Sequence, residues 1–146
     1  MAKAVDFFNE SQKKQIVDAI KEAENNTSGE IRVHIESQCK GDVLDRAAQV
    51  FAKLEMHKTV LRNGVLLYLA IETRSFAIIG DSGINKVVES GFWDSTKEVM
   101  LGYFKTGDYT QGLVHGILKA GEQLKTHFVH QADDINELPD DISFGK

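Results

Sequence analysis

The feature that most constrains this chain is an apolar run without a polar face. Residues 65–71, Val-Leu-Leu-Tyr-Leu-Ala-Ile, carry apolar or aromatic side chains at consecutive positions. Because neighbouring side chains of a strand point to opposite sides of a sheet, such a run indicates a central strand that is covered on both faces. The rest of the chain must therefore supply a layer on each side of a sheet.

Two further strands are predicted next to this run. Residues 30–37 alternate apolar and polar side chains, which is typical of a half-buried strand. Residues 75–79 follow the short turn 72–74 and favour a strand that returns antiparallel to 64–71. Helical spacing of apolar residues predicts helices over 9–25, from Asp42 to Leu54, over 84–90, over 93–106 and over 108–127.

The order of these elements predicts the fold class. It reads α-β-α-β-β-α-α, and a helix joins the first two strands, so these should be parallel. The third strand should run back against the second. We therefore expect an α/β fold, a three-layer α/β/α sandwich with a mixed sheet of three or four strands flanked by helices. With 146 residues and one proline, the chain is expected to form a single domain over 1–146.

Charge and composition exclude several classes of function. The chain has 17 Lys and Arg against 22 Asp and Glu, a net charge of −5, without a basic run. This balance argues against a nucleic-acid partner or an anionic membrane surface. No apolar run approaches 18 residues and the N-terminus is acidic, so we expect no direct membrane insertion and a cytoplasmic location. The single cysteine, Cys39, cannot form an intramolecular disulfide.

The predicted topology brings polar residues to one end of the sheet. Glu30 begins the first strand, Asn63 precedes the second, and Asp81 follows the third. Their carboxylate and amide oxygens suit Ca²⁺ or Mg²⁺. Asp94, at the start of the next helix, would complete a metal site of Glu30, Asn63, Asp81 and Asp94. The structural alternative for each residue is a strand-end charge, a turn residue or a helix cap.

Three segments of the sequence resemble a known family. They are residues 27–33 (Thr-Ser-Gly-Glu-Ile-Arg-Val), 63–68 (Asn-Gly-Val-Leu-Leu-Tyr) and 80–84 (Gly-Asp-Ser-Gly-Ile). In this order and spacing they are similar to the TPM domain, found in thylakoid-lumen proteins of photosystem II repair, in a nematode acetylcholine-receptor modulator of the MOLO type and in many bacterial proteins. The resemblance, closest to the soluble bacterial branch, covers a core of about residues 7–127.

The resemblance carries expectations about fold and function. It implies an α/β/α sandwich with a mixed sheet and a divalent-metal site, for which calcium is often proposed. It also implies a possible phosphatase, because that activity has been attached to plant members. Many relatives carry Asp immediately before the Asn-Gly turn, whereas this chain has Arg62. That difference removes one potential ligand.

The first function we expect is a non-catalytic, metal-binding accessory module that acts through a protein partner. The alternative is a weak metal-dependent phosphatase, in which metal-activated water attacks a phosphomonoester and Arg62 steadies the phosphate. Cys39 lacks the Cys-x5-Arg spacing of cysteine phosphatases, and the chain has no P-loop. With few carboxylates, we expect an affinity on the order of 10⁻⁴ M or weaker.

The acidic segment over residues 128–146 is the last notable feature. Five Asp and Glu residues lie among 133–141, and such a run is usually a solvated terminus. We expect it to be extended and in solvent. The alternative is a partner-binding role, because Ile135, Leu138, Ile142 and Phe144 interleave with the charges.

Overall fold

Two parallel strands lie at the centre of the sheet. The computed structural model of the chain describes residues 4–130 and 137–145. Its strands are β1 (Glu30–Glu36), β2 (Gly64–Ala70), β3 (Ser75–Gly80) and β4 (Ser143–Phe144). Their order is β3-β2-β1-β4, with β1 parallel to both β2 and β4, and β3 antiparallel to β2. The predicted mixed sheet and its strand directions are therefore confirmed.

Helices cover the sheet, and several of them begin at residues whose side chains cap them. Their bounds are α1 (Ala4–Phe7), α2 (Glu10–Glu24), α3 (Val43–Lys53), α4 (Ser82–Asn85), α5 (Asp94–Lys105) and α6 (Tyr109–Leu124). Asn9 and Gln12 form a reciprocal capping box at the start of α2. Asp42 accepts hydrogen bonds from two amides at the start of α3, and Asp108 caps α6.

The alternation along β1 separates two hydrophobic cores. Ile31, Val33 and Ile35 face the side covered by α2, α5 and α6. The opposite face of the sheet packs against α3 and includes Leu66 and Tyr68 of β2. Every residue of β2 is buried, as its continuous apolar pattern predicts. The three-layer α/β/α sandwich is thus confirmed.

Glycine allows the closest helix approach in the larger core. A Cβ at Gly121 of α6 would lie 2.7 Å from Cβ and 3.0 Å from Cα of Ala23 in α2. Those distances leave no space for a side chain, so α2 and α6 pack backbone against backbone here. By contrast, a Cβ at Gly102 of α5 would meet nothing within 4 Å.

The structure contains one short helix that was not predicted, α1, and departs from the predicted elements in two other places. The helix predicted over 84–90 is the single turn α4, Ser82–Asn85, and the following chain forms turns up to Gly91, whose φ is +85°. The prediction of a solvated tail is wrong for residues 137–145, which lie against the domain with Leu138 only 7% exposed. Residues 131–136 of that predicted tail lie outside the described residues. None of the helices in the described ranges is long and apolar enough to cross a membrane.

Candidate functional site

The starts of β1 and β2 and the end of β3 meet at one end of the sheet. The Glu30 amide donates to the Asn63 carbonyl at 3.2 Å, and the Asp81 amide donates to the Gly64 carbonyl at 2.9 Å. Parallel pairing of Glu30 with Gly64 sets this alignment. The structure thus brings together Glu30, Asn63 and Asp81, the three strand-end residues that the topology predicted to converge.

Glu30 has one engaged and one free carboxylate oxygen. The side chain is 4% exposed, and its Oε1 accepts hydrogen bonds from the amides of Glu137 at 2.8 Å and Leu138 at 2.9 Å. Its Oε2 is buried without a hydrogen-bond partner. Burial raises the pKa of Glu30 to about 7, against the opposing effect of the two amides. When Glu30 is ionised, this oxygen is a buried acceptor without a positive partner.

Asn63 presents a second buried oxygen of the same kind. The residue is 1% exposed, and its Nδ2 donates to the Ser28 carbonyl at 3.1 Å. Its Oδ1 has no hydrogen-bond partner. Buried polar atoms are almost always paired, so two unpaired oxygens at adjacent strand starts need an explanation. Both are hard oxygen ligands of the type that Ca²⁺ and Mg²⁺ accept.

Asp81 is already neutralised by Arg62. The guanidinium binds the carboxylate in a bidentate manner, Nε to Oδ2 at 2.7 Å and Nη2 to Oδ1 at 2.8 Å. Asp81 Oδ1 also accepts from the Ser82 amide at the start of α4. Gly83 permits this arrangement, because a Cβ there would lie 2.1 Å from the Leu61 carbonyl oxygen. Both oxygens of Asp81 are therefore engaged, and a positive charge lies beside them.

Asp94 differs from Glu30 and Asn63 because its side chain is exposed to solvent. It is the first residue of α5, its side chain is exposed, and it lines an open surface depression with Glu89 and Lys97. Within residues 4–130 and 137–145, no group of three or more His, Cys, Asp or Glu side chains is arranged to hold a metal ion. Of the four predicted ligands, Glu30 and Asn63 each have a buried oxygen without a hydrogen-bond partner, whereas Asp81 is paired with Arg62 and Asp94 is exposed.

Sequence reasoning missed a carboxyl pair beside Glu30. Glu24, the last residue of α2, accepts a hydrogen bond from the Ile31 amide at 3.0 Å and is hydrogen-bonded to Asp140. Burial, the contact with Asp140 and the charge of Glu30 together raise the pKa of Glu24 to about 9. The sequence signal for this contact is the acidic run over residues 133–141. That run predicts a solvated terminus, because no local pattern indicates that it packs against the domain.

The opposite end of β1 holds a separate buried network. Burial acts to raise the pKa of Glu36, but hydrogen bonds from Arg46, Tyr68 and His34 outweigh it and hold that pKa at about 2. Arg46 binds the carboxylate with two nitrogens at 2.8 and 2.9 Å. His34 joins Glu36 to Ser143 of β4 through its two ring nitrogens. Every member therefore has a partner, as expected of a structural network.

Fold and site together define an α/β/α-sandwich domain with buried, unpaired oxygens at one end of a mixed sheet. The sequence profile of the TPM domain matches residues 2–123. The chain therefore belongs to the TPM domain family, and the resemblance noted from its motifs is confirmed. A comparison with curated proteins finds no match.

Solved structures agree with this assignment. The chain is similar to the BA42 protein of the psychrophilic bacterium Bizionia argentinensis, with 52% identity, a TM-score of 0.92, and 99% of this chain and 100% of that chain covered. The N-terminal domain of a protein from P. gingivalis shares the fold at 17% identity and a TM-score of 0.71, with 86% of this chain and 83% of that chain covered. The N-terminal domain of cg2496 from Corynebacterium glutamicum shares the fold at 15% identity and a TM-score of 0.66. The comparison covers 88% of this chain and 80% of that chain.

Proposed function

We propose that this chain is a non-catalytic domain that binds a divalent cation, calcium or magnesium, at the starts of β1 and β2, and serves as an accessory module to a protein partner. The observation that carries the proposal is the pair of buried oxygens without partners, Glu30 Oε2 and Asn63 Oδ1. A bound cation would give either oxygen the partner that it lacks. We call these two residues the strand-start site.

The residues present support weak binding. Glu30 supplies a carboxylate and Asn63 an amide oxygen, and water would fill the remaining positions around the ion. Arg62 lowers the negative potential at this end of the sheet, because its guanidinium neutralises Asp81. Such a site suits a concentration-dependent response to calcium or magnesium more than permanent retention of the ion.

The residues favour an accessory role over catalysis. A metal-dependent phosphatase needs ligands that hold the ion firmly while water is activated. Within the described ranges, no three acidic, histidine or cysteine side chains are arranged in that way. Arg62, which would steady a phosphate in the alternative function, is occupied by Asp81.

Calcium and magnesium titrations followed by backbone amide NMR test the proposal. At pH 8, above the pKa of Glu30, we expect saturable shifts at residues 29–31 and 63–65. Glu30→Gln should abolish them, whereas Asp94→Asn, which also removes one carboxylate, should leave them unchanged. Shifts that do not saturate, or that survive Glu30→Gln, would exclude the strand-start site.

A phosphatase assay separates the two functions. Hydrolysis of p-nitrophenyl phosphate is measured with and without calcium or magnesium. We expect no turnover above that of the Glu30→Gln protein. Robust metal-dependent turnover that is lost in Glu30→Gln would replace the accessory role with the enzymatic one.

A further inference from the structure

Residues 137–145, here called the C-terminal segment, contact Glu30 of the strand-start site. Its first two amides bind Glu30 Oε1, and further along, Ser143 pairs with His34 and the Gly145 amide donates to the Ile35 carbonyl at 2.8 Å. The segment therefore contacts β1 at Glu30 and again at His34 and Ile35. It lies outside the part of the chain that the TPM profile matches, residues 2–123.

The segment is anchored next to Glu30 by packing as well as by hydrogen bonds. Leu138 belongs to the core on the α3 side, together with Met56. Glu137 accepts a hydrogen bond from the Val60 amide at 3.1 Å. Because these contacts flank the two amides that bind Glu30, the amides are held at a fixed position relative to the carboxylate.

This arrangement determines which oxygen of Glu30 is available. Two donors on Oε1 fix the plane of the carboxylate and leave Oε2 as the free ligand atom. Hydrogen bonds to a ligating carboxylate orient it, and removing such partners typically weakens metal binding about 10–100-fold. The same segment places Asp140 against Glu24, which adds negative charge close to Glu30.

We propose that the C-terminal segment is a positioning part of the cation site, so that cation binding at Glu30 and docking of the segment stabilise each other. This inference rests on the proposed function. The segment acts on the ion in two ways, through the amides that orient Glu30 and through the charge of Asp140. By linkage, whatever the docked segment adds to cation affinity, the cation adds to docking.

Two pairs of variants in the full chain test the effect on binding. Leu138→Ala removes the buried anchor, and Leu101→Ala removes an exposed leucine of α5 as its control. Asp140→Asn removes the charge near Glu30, and Asp141→Asn makes the same change at an exposed neighbour. From calcium titrations by NMR, we expect about tenfold weaker binding in Leu138→Ala and about threefold in Asp140→Asn, with both controls like the wild type.

The reciprocal measurement detects coupling that a purely structural role would not produce. Saturating calcium should slow hydrogen exchange of the Glu137 and Leu138 amides in the wild type and leave it unchanged in Glu30→Gln. The inference is wrong if calcium binds saturably at Glu30 and two further results are obtained. These are an Asp140→Asn protein with wild-type calcium affinity, and Glu137 and Leu138 amides that exchange at the same rate with and without calcium. The segment would then have no part in the site. If the wild type shows no saturable binding at Glu30, the proposed function itself is wrong. If Leu138→Ala does not fold, the inference is tested by the calcium affinity of Asp140→Asn and by hydrogen exchange of the Glu137 and Leu138 amides.

Discussion

At the scale of single residues, Arg62 sets the charge of the strand-start site. Its φ of +52° is a conformation in which Asp and Asn are enriched over Arg. We predict that Arg62→Asp binds calcium at least tenfold more tightly than the wild type, because the substitution frees Asp81 and adds a carboxylate. Without calcium the variant should be less stable, since two carboxylates then lie unpaired. Isothermal titration and thermal denaturation with and without calcium measure both effects.

Arg74 offers a matched control for that prediction. It is exposed, has a φ of +55°, and lies in the turn between β2 and β3 at the other end of the sheet. Arg74→Asp makes the same change in charge and in backbone preference. Its calcium affinity should equal that of the wild type. Equal tightening in both variants would indicate a general effect of net charge and contradict a local role for Arg62.

Glu36 gives the protein a defined response to acid. Its pKa of about 2 lies below the ordinary value of 4.5, so the unfolded chain takes up the proton first. The stability that Glu36 contributes is therefore present above pH 4.5 and is lost as pH falls from 4.5 to 2. We predict a loss of about 2 kcal/mol in the free energy of unfolding over this window, less than the full shift implies because Arg46 is 35% exposed.

Chemical denaturation at a series of pH values measures that loss. Glu36→Gln should be less stable at pH 7 and should lack the additional fall between pH 4.5 and 2. Glu72→Gln, at an exposed position after β2, should retain the wild-type dependence. If the free energy of unfolding of Glu36→Gln falls between pH 4.5 and 2 as in the wild type, the network around Glu36 does not control the acid response.

At the scale of elements, α2 and α6 depend on a glycine for their contact. We predict that Gly121→Ala lowers the free energy of unfolding by about 1–2 kcal/mol, because its Cβ would overlap the backbone of Ala23. Gly102→Ala, in the exposed part of α5, should instead raise it by about 0.5–1 kcal/mol through helix propensity. Urea denaturation compares the two. Stabilisation by both substitutions would show that α2 and α6 have room to separate.

The elements that could be predicted from the sequence are those with a strong local pattern. The continuous apolar run of β2 and the alternation of β1 identify their own burial, and a helical connection requires the two strands to be parallel. The convergence of Glu30, Asn63 and Asp81 follows from that topology alone. The sequence therefore predicts which residues lie together at the starts of β1 and β2 and the end of β3, without knowledge of any side-chain contact.

The contacts that could not be predicted are those that join distant segments. The sequence around Leu138 is acidic, and one leucine in such a run does not indicate burial in a core built from α3 and β2. The two amides on Glu30 come from more than a hundred residues away, at separations of 107 and 108. The pairing of Arg62 with Asp81 likewise depends on how the turn before β2 packs against α4.

At the scale of the whole molecule, cation binding should appear as thermal stability. A ligand that binds only the folded state stabilises it by mass action, by about 2.7 kcal/mol at a hundredfold excess over Kd. For a Kd on the order of 10⁻⁴ M, about 10 mM calcium should therefore raise Tm by roughly 5–10 °C. Sodium chloride at the same ionic strength controls for screening of the net charge of −5. Glu30→Gln should lose the calcium-specific rise, and an equal rise in sodium chloride would attribute the effect to screening and contradict a specific site.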